Sequence, residues 1–127
     1  MSQRFKEGKG YHKLLVWKKA KEFVSLVYKL SEAFPKAEEF GLKGQIRRAA
    51  ISVLLNIVEG NRRRSTKEFL RFLDISQASI VEVEAILEVC LDLGYFNNES
   101  FDTLESKRSE LDFLLHSLEK SLRRNLQ

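Results

Sequence analysis

Three consecutive arginines form the segment of this sequence that is best suited to binding chemistry. They are Arg62, Arg63 and Arg64, named here the arginine loop. A guanidinium group presents paired N–H donors that match phosphate oxygens, and its contact with nucleic acid releases counterions. Lys67 and Arg71 extend the positive charge by one and two helical turns, and we expect Arg47 and Arg48, at the start of the preceding helix, to add to it. We predict a nucleic-acid-binding surface here; the alternatives are a solvated loop or pairing with acidic residues of a neighbouring subunit.

A polar stripe interrupts the most apolar segment, residues 43–59, at helical spacing. It contains Gln45, Arg48, Ser52, Asn56 and Glu59. Catalysis by Ser52 would need an adjacent base, and the stripe contains no histidine. Leaving a buried polar group unpaired costs about 1–3 kcal/mol, so such groups can fix helix register or subunit number. We therefore predict that Ser52, Asn56 and Glu59 lie at an oligomer interface or are buried polar groups.

Metal, cofactor and enzyme sites are not indicated by the remaining reactive residues. The two histidines, His12 and His116, have no Glu three residues before them, as a di-iron bundle requires. Cys90 is the only cysteine, which excludes an intrachain disulfide, and it falls in an apolar helical stripe typical of a core position. We predict a protein without catalytic activity, metal or cofactor. The enzyme alternative requires a site between subunits, built from residues such as Arg48 and Glu59.

The composition indicates one globular domain, residues 1–127, with 43% hydrophobic and 31% charged residues. The polar N-terminus does not resemble a signal peptide, and no run of eighteen apolar residues occurs, so we expect no membrane association. The single cysteine fits a cytoplasmic location.

Charge is strongly segregated along the chain. Residues 43–71 contain eight basic and two acidic residues, whereas residues 72–106 contain eight acidic residues and no Lys or Arg. Two explanations remain open: a basic patch for phosphate, or pairing of unlike surfaces between subunits.

Apolar residues recur every three or four positions and predict four helices, at about 14–33, 43–59, 66–93 and 100–124. Pro35 should stop the first helix and Gly60 should cap the second. Ser65, with Glu68, forms a capping box for the third, which should end at Gly94. Short connections between long helices predict an all-α, antiparallel up-and-down four-helix bundle.

Several motifs together resemble a known family, the four helix bundle proteins, also called the 23S rRNA intervening-sequence proteins of bacteria. The resemblance extends from about Tyr11 to Leu122. The motifs include Leu15-Val16-Trp17, Phe40-Gly41-Leu42, Gln45-Ile46-Arg47-Arg48-Ala49-Ala50, Asn56-Ile57-Val58-Glu59-Gly60, Lys67-Glu68-Phe69 and Leu93-Gly94-Tyr95. Two departures are Ser52-Val53-Leu54-Leu55, where the family often has Ser-Ile-Pro-Ser, and Ser76-Gln77-Ala78-Ser79, where it often has a glycine.

The resemblance implies an up-and-down bundle that assembles into a homopentameric ring. It also implies possible partners, because a related branch assists the reverse transcriptase of diversity-generating retroelements and uses a basic surface for nucleic acid. We therefore expect a non-catalytic adaptor that binds itself, RNA or DNA, and a reverse transcriptase or another nucleic-acid enzyme. The alternative is a structural or protein-partner scaffold that does not bind nucleic acid.

Overall fold

The computed structural model describes residues 14–126. They form four helices, α1 (Leu15–Ser31), α2 (Leu42–Asn61), α3 (Thr66–Asp92) and α4 (Asn98–Arg124), and a short 3-10 turn (Lys36–Glu38). Residues 14–126 contain no strand, and the all-α class is confirmed. His12 lies outside the described residues.

The four helices pack in an antiparallel cycle, α1 on α2, α2 on α3, α3 on α4 and α4 on α1. The side-chain contacts give the directions. Phe34, which follows α1, packs against Phe96, which precedes α4, with 4.9 Å between ring centroids. Lys19 near the start of α1 lies 3.6 Å from Glu110 at the middle of α4. The predicted four-helix bundle is therefore confirmed.

The bundle has two ends of different composition. The basic end contains the α2–α3 connection, the start of α1 and the end of α4, and the far end contains residues 32–41 and 93–97. The core between them is aliphatic and aromatic, and burial of each such side chain stabilises the fold by roughly 1.5–3 kcal/mol. Its largest fully buried side chains are Phe23, Ile46, Ile57, Leu73, Ile80, Leu87, Leu104, Leu111 and Leu115.

The helix starts follow the capping residues. The Ser65 hydroxyl accepts a hydrogen bond from the Glu68 N–H at 3.1 Å, and the side-chain oxygen Oδ1 of Asn97 accepts one from the Ser100 N–H at 2.8 Å. Only half of the predicted capping box forms, because the Glu68 carboxylate binds Arg71 instead of reaching back to Ser65.

The predicted end of α3 at Gly94 is confirmed. Gly94 has a φ of +78°, a conformation that suits glycine. The N–H of Tyr95 donates to the carbonyl of Cys90 at 2.9 Å, and that of Gly94 to the carbonyl of Leu91 at 3.0 Å. These paired bonds satisfy carbonyls at the helix end.

The prediction that Gly60 caps α2 is wrong, because the helix continues through it to Asn61. Gly60 is buried against α3, where an added Cβ would lie 2.8 Å from Phe72 Cβ and 2.9 Å from Phe69 Cδ1. The glycine allows the two helix backbones to approach each other.

Glu38, in the α1–α2 connection, contacts the α3–α4 connection at the far end. One carboxylate oxygen accepts from the Leu42 N–H at 3.0 Å at the start of α2, and the other accepts from the Tyr95 hydroxyl at 3.0 Å. This hydrogen bond stabilises the neutral phenol and raises the pKa of Tyr95. None of the helices in residues 14–126 is long and apolar enough to cross a membrane.

Candidate nucleic-acid interface

The basic end gathers positive charge from three segments of the chain. The arginine loop connects α2 to α3, and all three of its residues are exposed. Lys67 and Arg71 lie on the first two turns of α3, also exposed. The end of α4 adds Arg123 and Arg124. The short α2–α3 connection and the antiparallel packing therefore concentrate cations at one end of the bundle.

The Phe72 ring orders two of these cations. The guanidinium carbon of Arg63 lies 4.7 Å from the ring centroid, and that of Arg71 lies 5.0 Å from it. Each guanidinium also contacts one carboxylate, Arg63 with Glu59 at 2.6 Å and Arg71 with Glu68 at 3.1 Å. An exposed cation–π contact contributes about 0.5–1 kcal/mol, so the ring restricts both side chains without neutralising their charge.

Three further cations of this end are available to a ligand. Among residues 14–126, no hydrogen bond or ion pair engages the side chains of Arg62, Arg64 or Lys67. A groove of about 420 Å³ beside them lies between α3 and the end of α4, with Lys67, Arg71 and Arg123 among its lining residues. Arg62, Arg64 and Lys67 can therefore face phosphate oxygens without first breaking an internal contact within this part of the chain.

Arg123 and Arg124 were missed by the sequence analysis as members of this surface. Their contribution depends on topology, because only antiparallel packing places the end of α4 beside the start of α3. A signal was present in the sequence: the two arginines are adjacent and end a predicted amphipathic helix.

Arg47 and Arg48 are not part of this surface. They precede Arg62 by about fourteen residues of helix, or roughly 21 Å. Arg47 joins α2 to α1, where it donates to the Ser31 hydroxyl at 2.9 Å and to Glu32 at 3.0 Å and stacks on Tyr28. The hydrogen bond from Arg47 lowers the pKa of Glu32. Contact of Arg47 or Arg48 with nucleic acid stays a prediction, separate from the basic end.

The predicted polar stripe of α2 lies partly between α2 and α3. The Ser79 hydroxyl donates to the Ser52 hydroxyl at 2.8 Å, and the Asn56 amide donates to the Ser52 carbonyl at 2.8 Å. Ser52 and Asn56 are half-buried and hydrogen-bonded, whereas the Glu59 side chain is 50% exposed beside Arg63. Glu59 is thus not buried in a single chain, and its place in an oligomer interface stays a prediction.

Cys90 and His116 are the remaining candidate reactive residues within residues 14–126. Burial raises the pKa of the Cys90 thiol to about 11, which makes the nucleophilic thiolate scarce. His116 bonds the Asp112 carbonyl through Nδ1 at 2.9 Å on an exposed face of α4. No group of three or more His, Cys, Asp or Glu side chains in this range is arranged to hold a metal ion.

Comparison with known proteins identifies the family. The family model described as 23S rRNA-intervening sequence protein matches residues 12–117. The chain also resembles the crystal structure of a protein with unknown function from the S23 ribosomal protein family of Bacteroides thetaiotaomicron. That match has a TM-score of 0.78 and 27% sequence identity, and covers 84% of this chain and 99% of the other. No match is found among curated proteins. Since the family model covers most of its length, the chain belongs to the 23S rRNA-intervening sequence protein family.

Proposed function

We propose that the protein is a non-catalytic, self-associating bundle that binds the phosphate backbone of RNA or DNA through its basic end. The observation that carries this proposal is the convergence of three chain segments at that end. They contribute the arginine loop, Lys67 and Arg71, and Arg123 and Arg124. Clustered guanidinium and ammonium groups supply the sequence-independent, salt-dependent part of nucleic-acid binding.

The chemistry of the basic end favours the backbone over the bases. Phe72, an aromatic residue of this end, is already covered by two guanidinium groups. Trp17 of α1 is half-buried, and the Lys21 ammonium lies 5.3 Å from its ring centroid. The exposed aromatic side chains among residues 14–126 are elsewhere: Tyr28 on α1, Phe40 near the far end and Phe113 on α4. Sequence-tolerant base stacking needs a free ring, and sequence reading needs donors placed against base edges. We expect little sequence preference.

Self-association is supported by an apolar outer face on α2 and α3. Large hydrophobic residues there are between 41% and 62% exposed, and they are Leu55, Ile75, Val81 and Val89. Covering such side chains with a second copy would remove them from water. We further propose that the oligomer is a pentamer, which is the subunit number that the family resemblance implies. Repetition of the basic end around a ring would increase avidity for a long polyanion.

The test compares two triple variants that lose the same charge. One is Arg62→Ala/Arg63→Ala/Arg64→Ala, and the other is Lys29→Ala/Lys36→Ala/Lys107→Ala, whose lysines are exposed and distant from the basic end. Fluorescence anisotropy with labelled structured RNA and duplex DNA, at several salt concentrations, gives the affinity and its salt dependence.

We expect the arginine variant to bind at least about ten-fold more weakly. Its slope of log K against log salt concentration should be shallower by up to about 2.7, since each lost contact with duplex DNA removes about 0.9. The lysine variant should bind within about two-fold of the original protein. Equal weakening in both variants would mean general charge attraction and would reject a binding surface at the basic end.

A protein-partner scaffold is the second candidate, and one observation favours it. Phe40 is 94% exposed in the α1–α2 connection at the far end, away from the basic end. An exposed aromatic side chain is a common anchor in protein interfaces. Absence of binding to RNA and DNA at low salt would support this candidate, and a reverse transcriptase or another nucleic-acid enzyme is the partner we would then test.

A further inference from the structure

Glu119 is a buried carboxyl group near the basic end. It lies on α4, is 6% exposed, and faces α3. One carboxylate oxygen accepts from the Gln77 side-chain amide at 2.8 Å. The other oxygen, Oε1, has no hydrogen-bond partner, and it is the only buried side-chain polar atom of this kind within residues 14–126. An ionised carboxylate in this position has too few hydrogen-bond donors, because burial of an oxygen without a partner penalises the charged form.

The charged groups around Glu119 come from α3 and α4. Asp74 of α3 lies three residues before Gln77, the hydrogen-bond partner of Glu119. Arg123 lies one turn after Glu119 on α4 and 3.9 Å from Asp74, and His116 lies about one turn before Glu119. From α1, the charged residue that contacts α4 is Lys19. Its partner Glu110 is nine residues before Glu119, or about 13 Å along the helix.

These surroundings favour a protonated Glu119. Burial raises the pKa of Glu119 from 4.5 to about 7, and the neighbouring Asp74 carboxylate acts in the same direction. Arg123 and His116 lower this pKa but do not offset the burial. A protonated carboxyl group also gains an O–H donor, which the Asp74 carboxylate can accept.

We propose that Glu119 is a proton-operated latch between α3 and α4. When protonated, it donates a hydrogen bond to Asp74 and holds the last turns of α4 against α3. When ionised, its charge adjoins that of Asp74, and the two carboxylates loosen this contact. The latch does not require the proposed function. If the protein does bind nucleic acid, however, the latch also controls how firmly Arg123 and Arg124 are held at the basic end.

The latch makes stability depend on pH in a defined direction. The pKa of Glu119 is higher in the folded chain than in the unfolded chain, so the folded state binds more protons between about pH 4.5 and pH 7. The stabilisation of the folded state by Glu119 is therefore at its maximum below pH 4.5. It decreases as the pH rises from 4.5 to 7, and it does not change further above pH 7. Glu119→Gln keeps the size and an N–H donor but cannot ionise.

The experiment measures the thermal midpoint of unfolding by circular dichroism from pH 5 to pH 9, without nucleic acid. Three proteins are compared: the original chain, Glu119→Gln and the control Glu110→Gln, whose residue is exposed on the same helix. We expect Glu119→Gln to match the original chain at pH 5 and to exceed its midpoint by about 5 °C at pH 8.5. Glu110→Gln should keep the pH dependence of the original chain, with a midpoint lowered slightly at every pH by the loss of its ion pair with Lys19.

Parallel midpoint curves for all three proteins would overturn the latch. If Glu119→Gln does not unfold cooperatively, the test is the NMR chemical shift of the Glu119 carboxyl carbon, measured against pH in the original chain. A titration midpoint near pH 7 supports the latch, and a midpoint below pH 5 overturns it. RNA affinity measured at pH 6 and pH 8 separates the two proposals: diverging midpoint curves with no RNA binding at either pH would keep the latch and reject the proposed function.

Discussion

Gly60 of α2 and Phe72 of α3 are in direct backbone-to-side-chain contact. A Cβ atom on Gly60 would lie 2.8 Å from the Cβ atom of Phe72, closer than carbon atoms approach without repulsion. The Phe69 carbonyl oxygen, 3.2 Å from the same point, is backbone and cannot rotate away. The contact therefore places Phe72, with the two arginines that cover it, directly beside the α2–α3 connection.

Substitution of Gly60 by Ala should destabilise the protein. Overpacking typically costs about 1–3 kcal/mol, and the better helix propensity of alanine returns at most about 1 kcal/mol. We expect the free energy of unfolding in urea to fall by about 1–2 kcal/mol.

Gly44→Ala on the same helix is the matched control. An added Cβ there meets the mobile end of Arg48 at 3.3 Å, together with the Glu39 carbonyl at 3.4 Å, which is ordinary contact. The control should be neutral or stabilising. Equal stability of Gly60→Ala and the original chain would show that α2 and α3 separate easily.

Substitution of Phe72 by Leu tests whether the ring prepares Arg63 and Arg71 for phosphate. Leucine keeps an apolar side chain but removes the cation–π contacts, so both arginines would have to be ordered on binding. We expect RNA affinity to fall by roughly five- to thirty-fold, because the two contacts together are worth about 1–2 kcal/mol. The salt dependence should be unchanged, since no charge is removed.

Phe113→Leu is the control for the ring, since Phe113 is 69% exposed on α4 and contacts neither arginine. It should bind as the original chain does. A thermal midpoint for each variant distinguishes weaker binding from partial unfolding. A Phe72→Leu variant that is fully folded and binds normally would leave the ring a purely structural role.

Local features of the fold could be predicted from the sequence because their causes are local. Ser65 and Asn97 cap helices through residues three positions away, and Gly94 ends α3 through its own conformation. The function of Gly60 could not be predicted, because a capping glycine and a contact glycine look alike in one sequence. What distinguishes them is the distance to Phe72, which depends on how α2 and α3 pack.

The candidate site was only partly predictable for the same reason. The arginine loop is contiguous, so its charge is visible in the sequence. Arg123 and Arg124 join it only through the antiparallel packing of α4. Glu119 looks like one more polar residue of an amphipathic helix, and its burial depends on which way α4 is turned. The sequence suggests phosphate binding for Arg47, because the hydrogen bonds of Arg47 to Ser31 and Glu32 cross between helices and are not visible in the sequence.

The outer face of α2 and α3 gives a prediction about assembly. Leu55→Glu with Val81→Glu places charges on side chains that are 56% and 62% exposed in a single chain. Folding should be little affected, because these side chains are not in the core. Association through this face should weaken strongly, because carboxylates would have to be desolvated.

Sedimentation velocity measures that outcome, with Phe113→Glu on α4 as the control. We expect the original chain and the control to sediment as the same oligomer, and the double variant to sediment as a smaller species. An unchanged oligomer in the double variant would exclude this face as the interface.

The Cys90 thiol should be nearly inert in the folded protein. It is fully buried, and burial raises its pKa to about 11. At pH 8 we expect an aromatic disulfide reagent to modify it at least about a hundred-fold more slowly than in the unfolded chain, since the reactive species is the thiolate. Absorbance of the released thiolate, with and without denaturant, measures the ratio. Fast modification without denaturant would indicate frequent opening between α3 and its neighbours.

The order of charges along α3 has a consequence for how the chain acquires its structure. The first turn contains Lys67 beside Glu68, and the last turn contains Asp92 but no basic residue. Asp92 opposes the helix macrodipole, so the segment on its own gains no charge stabilisation at its end and is a marginal helix despite its Ser65 cap. Its helicity must come from docking, and α2 is the neighbour already present when α3 leaves the ribosome. We therefore expect the α2–α3 hairpin to be the first persistent tertiary structure during synthesis, with α4 added afterwards.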